Sequence, residues 1–167
     1  MEMKRITALL LALVMTLPLA ACGDDKGGDS GVKEVPLKEE IVLVDNEYIT
    51  IKATAKYEDP KPNFTFYEVG YRVLIENHTD CYISVSYDKL SVDGFMVDGR
   101  FNYIDDVAPQ KKANSSLAIY VDKNSSHNVV ETIDDLLNTD GIIDVNQNSD
   151  GSNRYYGTDW GGKFHID

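Results

Sequence analysis

The stretch from Tyr48 to Tyr57 alternates strictly between apolar and polar side chains. A period of two puts successive side chains on opposite faces of an extended backbone, so one face is apolar and the other polar. The stretch therefore predicts a half-buried strand of an antiparallel sheet. The side chains predicted to face the core are Ile49, Ile51, Ala53, Ala55 and Tyr57.

Similar patterns recur along the chain and predict further strands. The longest runs from Phe64 to Asn77, and a later one from Ser115 to Asp122. Further strands are expected at 41–44, at 81–87 with a continuation at 90–92 after a kink, at 95–97, at 100–104 and at 142–145, with one or two in the C-terminal tail. The predicted inward side chains of the two long runs are Tyr67, Val69, Tyr71, Val73 and Ile75, and Leu117, Ile119 and Val121.

Turn signals separate these segments, and the Asp93-Gly94 pair is a strong hairpin signal. The apolar spacing of residues 128–137 predicts one short helix. Seven or eight short strands without a strand–helix–strand rhythm predict an all-β fold. We therefore expect an antiparallel β-sandwich, immunoglobulin-like in a loose sense.

The N-terminus carries the signals of a secreted, lipid-anchored protein. Lys4 and Arg5 precede an apolar segment at 6–17, which is shorter than the roughly 20 residues that a membrane-spanning helix needs. The sequence Leu-Ala-Ala-Cys then ends at Cys22 and has the form of a bacterial lipobox. That motif implies a signal peptide at 1–21, cleavage before Cys22, and diacylglycerol with fatty acids such as palmitate on its thiol. Two or more acyl chains hold a protein firmly to a membrane.

Composition divides the rest of the chain. Residues 22–39 are rich in glycine and charge and predict a lipidated flexible tether, which leaves 40–167 as one β-sandwich domain. The net charge of −12 argues against binding to nucleic acid, which needs a basic surface. With Cys22 acylated, Cys81 has no cysteine partner for an internal disulfide.

Several segments resemble a group of uncharacterised lipoproteins from clostridia and related Gram-positive bacteria. They are the segments 45–51, 71–79, 91–97 and 107–113, and the resemblance covers about Glu40 to Asp122. It implies a secreted sandwich domain of antigen type at the cell surface, and no activity or binding residues. The family pattern would place glycine where this chain has Gln110.

Motifs for catalysis are sparse. His78, His127 and His165 lie far apart in the sequence, and no nucleophile elbow, zinc-protease helix or phosphate-binding glycine loop is present. We therefore expect the chain not to be an enzyme. Its abundant carboxylates are scattered over turns, where they are typical of a solvated surface.

Two other stretches are candidate binding sites. Oxygen-bearing side chains at every second position, Asp144, Asn146, Asn148 and Asp150, would converge on a calcium ion in a curled loop, although a polar turn between strands is the plainer interpretation. Neither counting register fits an EF-hand. The aromatic tail contains Tyr155, Tyr156 and Trp160 among glycines, which suits recognition of a sugar or peptide. The alternative is that Tyr156 and Phe164 are core residues and that Trp160 covers a sheet edge.

Together these features predict a lipoprotein on the extracytoplasmic side of the cell membrane. It would act as a binding or interaction module for an envelope protein, peptide or glycan, with the membrane contacted through the lipid anchor alone. A calcium-stabilised structural domain and a cell-wall enzyme or accessory domain are the alternatives. No cofactor other than calcium is expected.

Overall fold

In a computed structural model the chain forms two antiparallel β-sheets that enclose one core. The structure describes residues 31–60, 65–97, 104–148 and 156–167, and only the backbone of 104–106. The predicted all-β sandwich is confirmed. The signal peptide and Cys22 lie outside the described residues.

The first sheet has four strands in the order β1-β2-β3-β7. They are β1 (Lys33–Asp45), β2 (Ile49–Asp59), β3 (Phe66–Asn77) and β7 (Lys112–Asp122). The alternating patterns predicted their inward faces well: each residue predicted to face the core in β2 and β7 is at most 4% exposed. In β3 the same holds from Val69 onward, while Tyr67 is only partly buried.

The second sheet contains the order β10-β8-β4-β5, with β6 also paired to β4 and β9 to β8. Its strands are β4 (Tyr82–Val92), β5 (Phe95–Met96), β6 (Ile104–Val107), β8 (Thr139–Asn148), β9 (Tyr156–Gly157) and β10 (Gly162–Ile166). Every pairing described is antiparallel. Side chains of both sheets join in a single buried cluster, which is the core of the sandwich.

The predicted kink and hairpin of the second sheet are both present. The pairing of β4 with β8 shifts register between Asp88 and Ser91, and Lys89 there has φ of 51°. An extra residue in one strand is a β-bulge, which bends the strand at that point. At the hairpin tip, Asp93 and Gly94 have φ of 49° and 78°, the positive values that a tight β4–β5 turn requires.

The predicted end of the tether, at residue 39, is wrong, because the folded domain begins earlier in the chain. Strand β1 begins at Lys33, and its first residues pair with the end of β2, from Lys33↔Glu58 to Pro36↔Ala55. Composition misled the prediction because β1 lies at a sheet edge, where exposed charges and a proline are tolerated. A register shift follows Pro36, which separates this part of β1 from Ile41 to Asp45.

The predicted helix at 128–137 is also wrong. The segment is irregular except for a 3₁₀ turn at Ile133–Asp135, capped by Thr132 and Asp135. Val130, Ile133 and Leu136 are buried at spacings of three, which satisfies the apolar pattern without a complete helix. The apolar spacing does reflect burial of one side of the segment, but a short capped 3₁₀ turn produces that burial without a helix.

Strand registers divide the sandwich into two ends. The pairs Lys33↔Glu58, Phe66↔Asp122 and Val92↔Thr139 define what we call the near end, where the described chain begins. The pairs Asp45↔Thr50, Glu76↔Lys112 and Tyr82↔Asn148 define the far end. A strand of the length of β1 spans roughly 40 Å, so the two ends are well separated.

Candidate functional site

An open depression of about 510 Å³ lies at the far end. Five pieces of chain line it: the β1–β2 turn with Glu47 and Tyr48, the β3–β4 turn at 78–81, Gln110 of the β6–β7 turn, Gln147 of β8, and Trp160 just before β10. Antiparallel strand pairing brings these pieces to the same end, although the first and the last of them lie more than 100 residues apart in the sequence. We call this feature the far-end depression.

Asn46 shapes the β1–β2 turn and joins it to the loop before β10. Its Oδ1 accepts hydrogen bonds from the backbone N–H groups of Tyr48 (2.9 Å) and Ile49 (3.1 Å). Its Nδ2 donates to the carbonyl of Trp160 at 2.9 Å. Asparagine side chains commonly organise turns in this way. The result here is that one side chain fixes the positions of two aromatic residues, Tyr48 and Trp160.

Asn77 organises the other two turns from inside the protein. It is 2% exposed, and its Nδ2 lies within hydrogen-bond distance of the carbonyls of Cys81 (2.9 Å), Val107 (2.9 Å) and Ala108 (3.1 Å). Its Oδ1 accepts from the N–H and hydroxyl of Thr79, at 2.9 and 2.7 Å. Buried polar groups of this kind are costly unless they are bonded, and this one is bonded at both ends.

Gln110 closes the same region from the surface. Its Nε2 donates to the carbonyls of His78 (2.6 Å) and Thr79 (3.2 Å). Its φ is 57°, in the left-handed region that favours glycine. The glutamine side chain at this position adds a link to the β3–β4 turn.

Two aromatic rings stack within the depression. The rings of Tyr48 and Trp160 stack with centroids 4.7 Å apart and planes 13° from parallel. Tyr48 is 38% exposed, whereas Trp160 is partly buried and packs against the core. Stacking of this kind contributes about 0.5–1.5 kcal/mol beyond the area buried. The pair thus presents a rigid aromatic surface to solvent.

His78 is oriented by a short chain of hydrogen bonds. The Thr50 hydroxyl donates to Asp45 Oδ1 at 2.8 Å and lies 2.9 Å from His78 Nε2. A hydroxyl has a single proton, so with that proton on Asp45 the imidazole Nε2–H is the donor to Thr50. In a neutral imidazole this leaves Nδ1 as the acceptor.

Carboxylates give the depression its charge. Glu47 and Asp80 belong to its lining, and Asp159 lies close to Tyr48. The hydrogen bond to Glu47 raises the pKa of the Tyr48 phenol above its usual value, and the charges of Glu47 and Asp159 act in the same direction. Among the described residues of the lining there is no lysine or arginine.

The predicted aromatic residues have different outcomes. Trp160 lines the depression, Tyr155 lies outside the described residues, and Tyr156 is 49% exposed on β9 without belonging to the lining. In the alternative interpretation Tyr156 and Phe164 are core residues. The prediction for Phe164 is confirmed, since it is 6% exposed, and the prediction for Tyr156 is wrong. Tyr156 pairs through its backbone with Gln147 at the edge of the second sheet, where one face of a strand meets solvent.

The predicted polar turn at 144–150 is a strand as far as Asn148. Asp144, Asn146 and Asn148 occupy alternate positions of β8, and alternate residues of a strand lie about 7 Å apart on one face. The curled loop assumed for calcium binding is therefore absent from these three residues, and Asp150 lies outside the described ones. Within the described ranges, no group of three or more histidine, cysteine, aspartate or glutamate side chains is placed to hold a metal ion.

A second depression, of about 380 Å³, lies at the near end. It is lined by parts of β7, by the segment after it and by Phe66, Met96 and Val97. Phe95 and Met96 of the neighbouring hairpin are 64% and 66% exposed. This depression has no stacked aromatic pair among its described lining residues.

Fold and site together define an antiparallel β-sandwich with an aromatic, acidic depression built from turns at one end. No protein-family model matches the chain, and no curated protein matches it. In the part of the chain that the structure describes, no helix has the length and apolarity needed to cross a membrane.

The sequence indicated Trp160 but not the residues around it. Tyr48 was predicted as part of a strand, Asn77 as the end of a strand and the start of a turn, and Gln110 as part of a loop. A usable signal was nevertheless present for two of the turns, because the β1–β2 and β3–β4 connections are the first and third of the chain. In an antiparallel meander alternate connections lie at the same end of the sheet.

Proposed function

We propose that this protein is a lipoprotein anchored to the extracytoplasmic face of the cell membrane through Cys22, and that it binds a ligand at the envelope through the far-end depression. The anchor rests on the lipobox and signal peptide of the sequence. The binding role rests on an open depression in which rigid aromatic rings and several polar side chains converge.

One observation links the two parts of the proposal. The described chain begins at the near end, where Lys33 pairs with Glu58, whereas the depression lies at the far end. Cys22 and Gly31 are nine positions apart, a reach of at most roughly 30 Å. An anchor at Cys22 therefore leaves the far end free to point away from the bilayer, as a displayed binding site requires.

Binding is favoured over catalysis by the kind of groups present. The depression has one oriented imidazole, His78, but that ring contacts a threonine hydroxyl instead of a nucleophile that it could activate. The expectation that the chain is not an enzyme stays a prediction. We do not propose the calcium-stabilised domain, because that idea needed a curled loop, whereas Asp144, Asn146 and Asn148 lie in the extended strand β8.

Membrane fractionation of the source cell tests the anchor. Wild-type protein is expected in the membrane fraction and to incorporate labelled palmitate, whereas Cys22→Ala is expected to lose the label and leave the membrane fraction. Cys81→Ala is the matched control, since it removes the other cysteine and should keep the label. Palmitate incorporation that survives Cys22→Ala would refute the anchor.

Capture from cell-envelope extract tests the binding role. The full-length protein in non-ionic detergent is compared with Trp160→Ala and with Phe95→Ala, which removes an exposed aromatic ring at the near end. We expect Trp160→Ala to lose the envelope component that wild type retains and Phe95→Ala to keep it. The reverse pattern would place binding at the near end and contradict the proposal.

A further inference from the structure

The far-end depression has a one-sided charge. Glu47 and Asp80 contribute carboxylates to its lining, and His78 is its one basic residue among those described. Lys52, Arg72 and Lys112 form ion pairs with Glu40, Glu34 and Glu76, and within the described part of the chain no ion pair involves Glu47 or Asp80. Two carboxylates thus face the depression without a basic side chain neutralising them.

The aromatic pair lines the same depression and also favours a cationic ligand. The faces of tyrosine and tryptophan rings carry negative electrostatic potential and attract cations, tryptophan most strongly. Both rings are fixed before a ligand arrives, because Asn46 bonds the backbones of Tyr48 and Trp160. Preorganisation of this kind lowers the free-energy cost of binding.

Resting on the proposed function, we propose that the far-end depression recognises a ligand through a positively charged ammonium group, held over the Tyr48–Trp160 pair and between the carboxylates of Glu47 and Asp80. Aromatic rings supply the apolar and cation–π contacts that a desolvated ammonium needs. The carboxylates supply the opposite charge, and Gln110 and Gln147 add amide groups to the lining.

The same features disfavour other ligand classes. An anion such as a phosphate or carboxylate would meet two like charges, which is unfavourable. A neutral sugar remains compatible with stacking on an aromatic ring, but it would leave the charge of the two carboxylates without an electrostatic role. The two carboxylates therefore favour a cationic ligand over an anionic or a neutral one.

The chain offers an intrinsic probe of the site, because Trp160 is its single tryptophan. Fluorescence of the full-length protein in non-ionic detergent is titrated at constant ionic strength with choline and, separately, with 3,3-dimethylbutan-1-ol. The alcohol has the same shape as choline but carries carbon where choline carries the charged nitrogen. We expect a saturable change with choline, and binding at least ten times weaker for the alcohol.

Variants then locate the charge. Glu47→Gln and Asp80→Asn should each weaken choline binding about three- to tenfold, and raising the sodium chloride concentration should weaken it further. Glu131→Gln is the matched control, because it removes one carboxylate from an exposed position at the near end. Circular dichroism and the unfolding midpoint verify that each variant is folded.

Three outcomes would overturn the inference. Equal affinity for choline and its neutral isostere would mean an apolar site, saturable binding of N-acetylglucosamine without any choline response would mean a sugar site, and the absence of a saturable response to all three would remove the ammonium ligand. The first two would leave a binding site in place, and envelope capture lost in Trp160→Ala would still support the proposed function. If Trp160→Ala captured the same envelope component as wild type, by contrast, the result would count against the proposed function itself.

Discussion

The two ends of this sandwich are held in place by different forces. At the far end, the amide side chains of Asn46, Asn77 and Gln110 bond backbone groups of short turns. At the near end, the segment from 123 to 138 inserts Val130, Ile133 and Leu136 into the core. Hydrogen bonds from Lys56 Nζ and the Tyr71 hydroxyl to the carbonyl of Leu136 add to this anchoring.

The difference follows from the length of the connections. A turn of a few residues cannot send an apolar side chain back into the core, so its backbone groups must be satisfied by nearby polar side chains. A segment of 16 residues can bury apolar side chains at intervals. Directional hydrogen bonds fix positions more precisely than apolar contacts do, which suits the end that carries the candidate site.

Truncating the main apolar anchor should have the largest effect. Leu136 is 0% exposed within the core cluster, so Leu136→Ala should lower the free energy of unfolding by about 3 kcal/mol. Urea denaturation followed by circular dichroism measures the loss. The native fluorescence of Trp160 should stay unchanged, because the substitution lies at the opposite end.

The adjacent residue provides the control for that substitution. Leu137 is 49% exposed, and Leu137→Ala should change stability by no more than about 0.5 kcal/mol. Similar losses for the two variants would mean that the segment is not anchored through Leu136, and the contrast drawn between the two ends would not hold.

Removing the buried amide at the far end should come next in size. Asn77→Ala leaves the carbonyls of Cys81, Val107 and Ala108 without their side-chain donor, at a cost of about 2 kcal/mol. Because the 78–81 turn lines the depression, the emission of Trp160 should shift in the folded protein as well. Denaturation curves and native emission spectra measure the two effects.

An exposed asparagine tests whether burial is the cause. Asn124→Ala, at the near end, should leave both stability and Trp160 emission close to wild type. If Asn77→Ala lost stability with no change in emission, Asn77 would be a core residue without influence on the site.

These anchors show how far sequence reasoning reaches. The faces of β2, β3 and β7 followed from alternation, because burial on one side of a strand imposes a period of two. The start of β1 could not be predicted in this way, because an edge strand exposed on much of its surface needs no apolar alternation. The helix error has a related cause: three buried residues at spacings of three fit either a helix or a capped 3₁₀ turn.

The candidate site was less accessible from sequence than the fold. Tyr48 and Trp160 are 112 positions apart, and only the completed pairing of strands brings their rings together. The polar alternation at 144–148 was visible, but the same pattern suits a curled loop and a strand with one polar face. Which of the two forms depends on the partner β4, whose pairing with β8 is a long-range property.

Two tyrosines in the core differ in whether their hydroxyl group forms hydrogen bonds that anchor the near end. The Tyr71 hydroxyl donates to the Leu136 carbonyl and lies 3.2 Å from Thr139 Oγ1. Tyr87 is 3% exposed, and within the described residues its hydroxyl has no hydrogen-bond partner. Tyr71→Phe should therefore cost about 1 kcal/mol, whereas Tyr87→Phe should be neutral or slightly stabilising. Equal losses in urea denaturation would contradict this assignment.

The smallest expected effect is a pH dependence at the near end. His165 Nδ1 lies 2.8 Å from Asp140 Oδ1 and Nε2 lies 2.7 Å from Asp167 Oδ1. The hydrogen bond to Asp140, followed by that to Asp167, raises the pKa of this imidazole above its usual value. Stabilisation from a group with a raised pKa is fully present below its unfolded value, about 6.5, and is lost as pH rises through the folded value.

Stability should therefore decline slightly from about pH 6.5 upward, over the range in which folded His165 loses its proton. Because the imidazole is exposed at the surface, the effect should be small and should weaken in high salt. Proton NMR titration of His165 measures the pKa directly, and Asp140→Asn should bring it back toward the usual value. A wild-type titration midpoint at or below 6.5 would show that the two carboxylates do not hold the charged imidazole. The far-end depression should be unaffected by this titration, since Trp160 lies away from the His165 cluster and is held by Asn46 and Thr158.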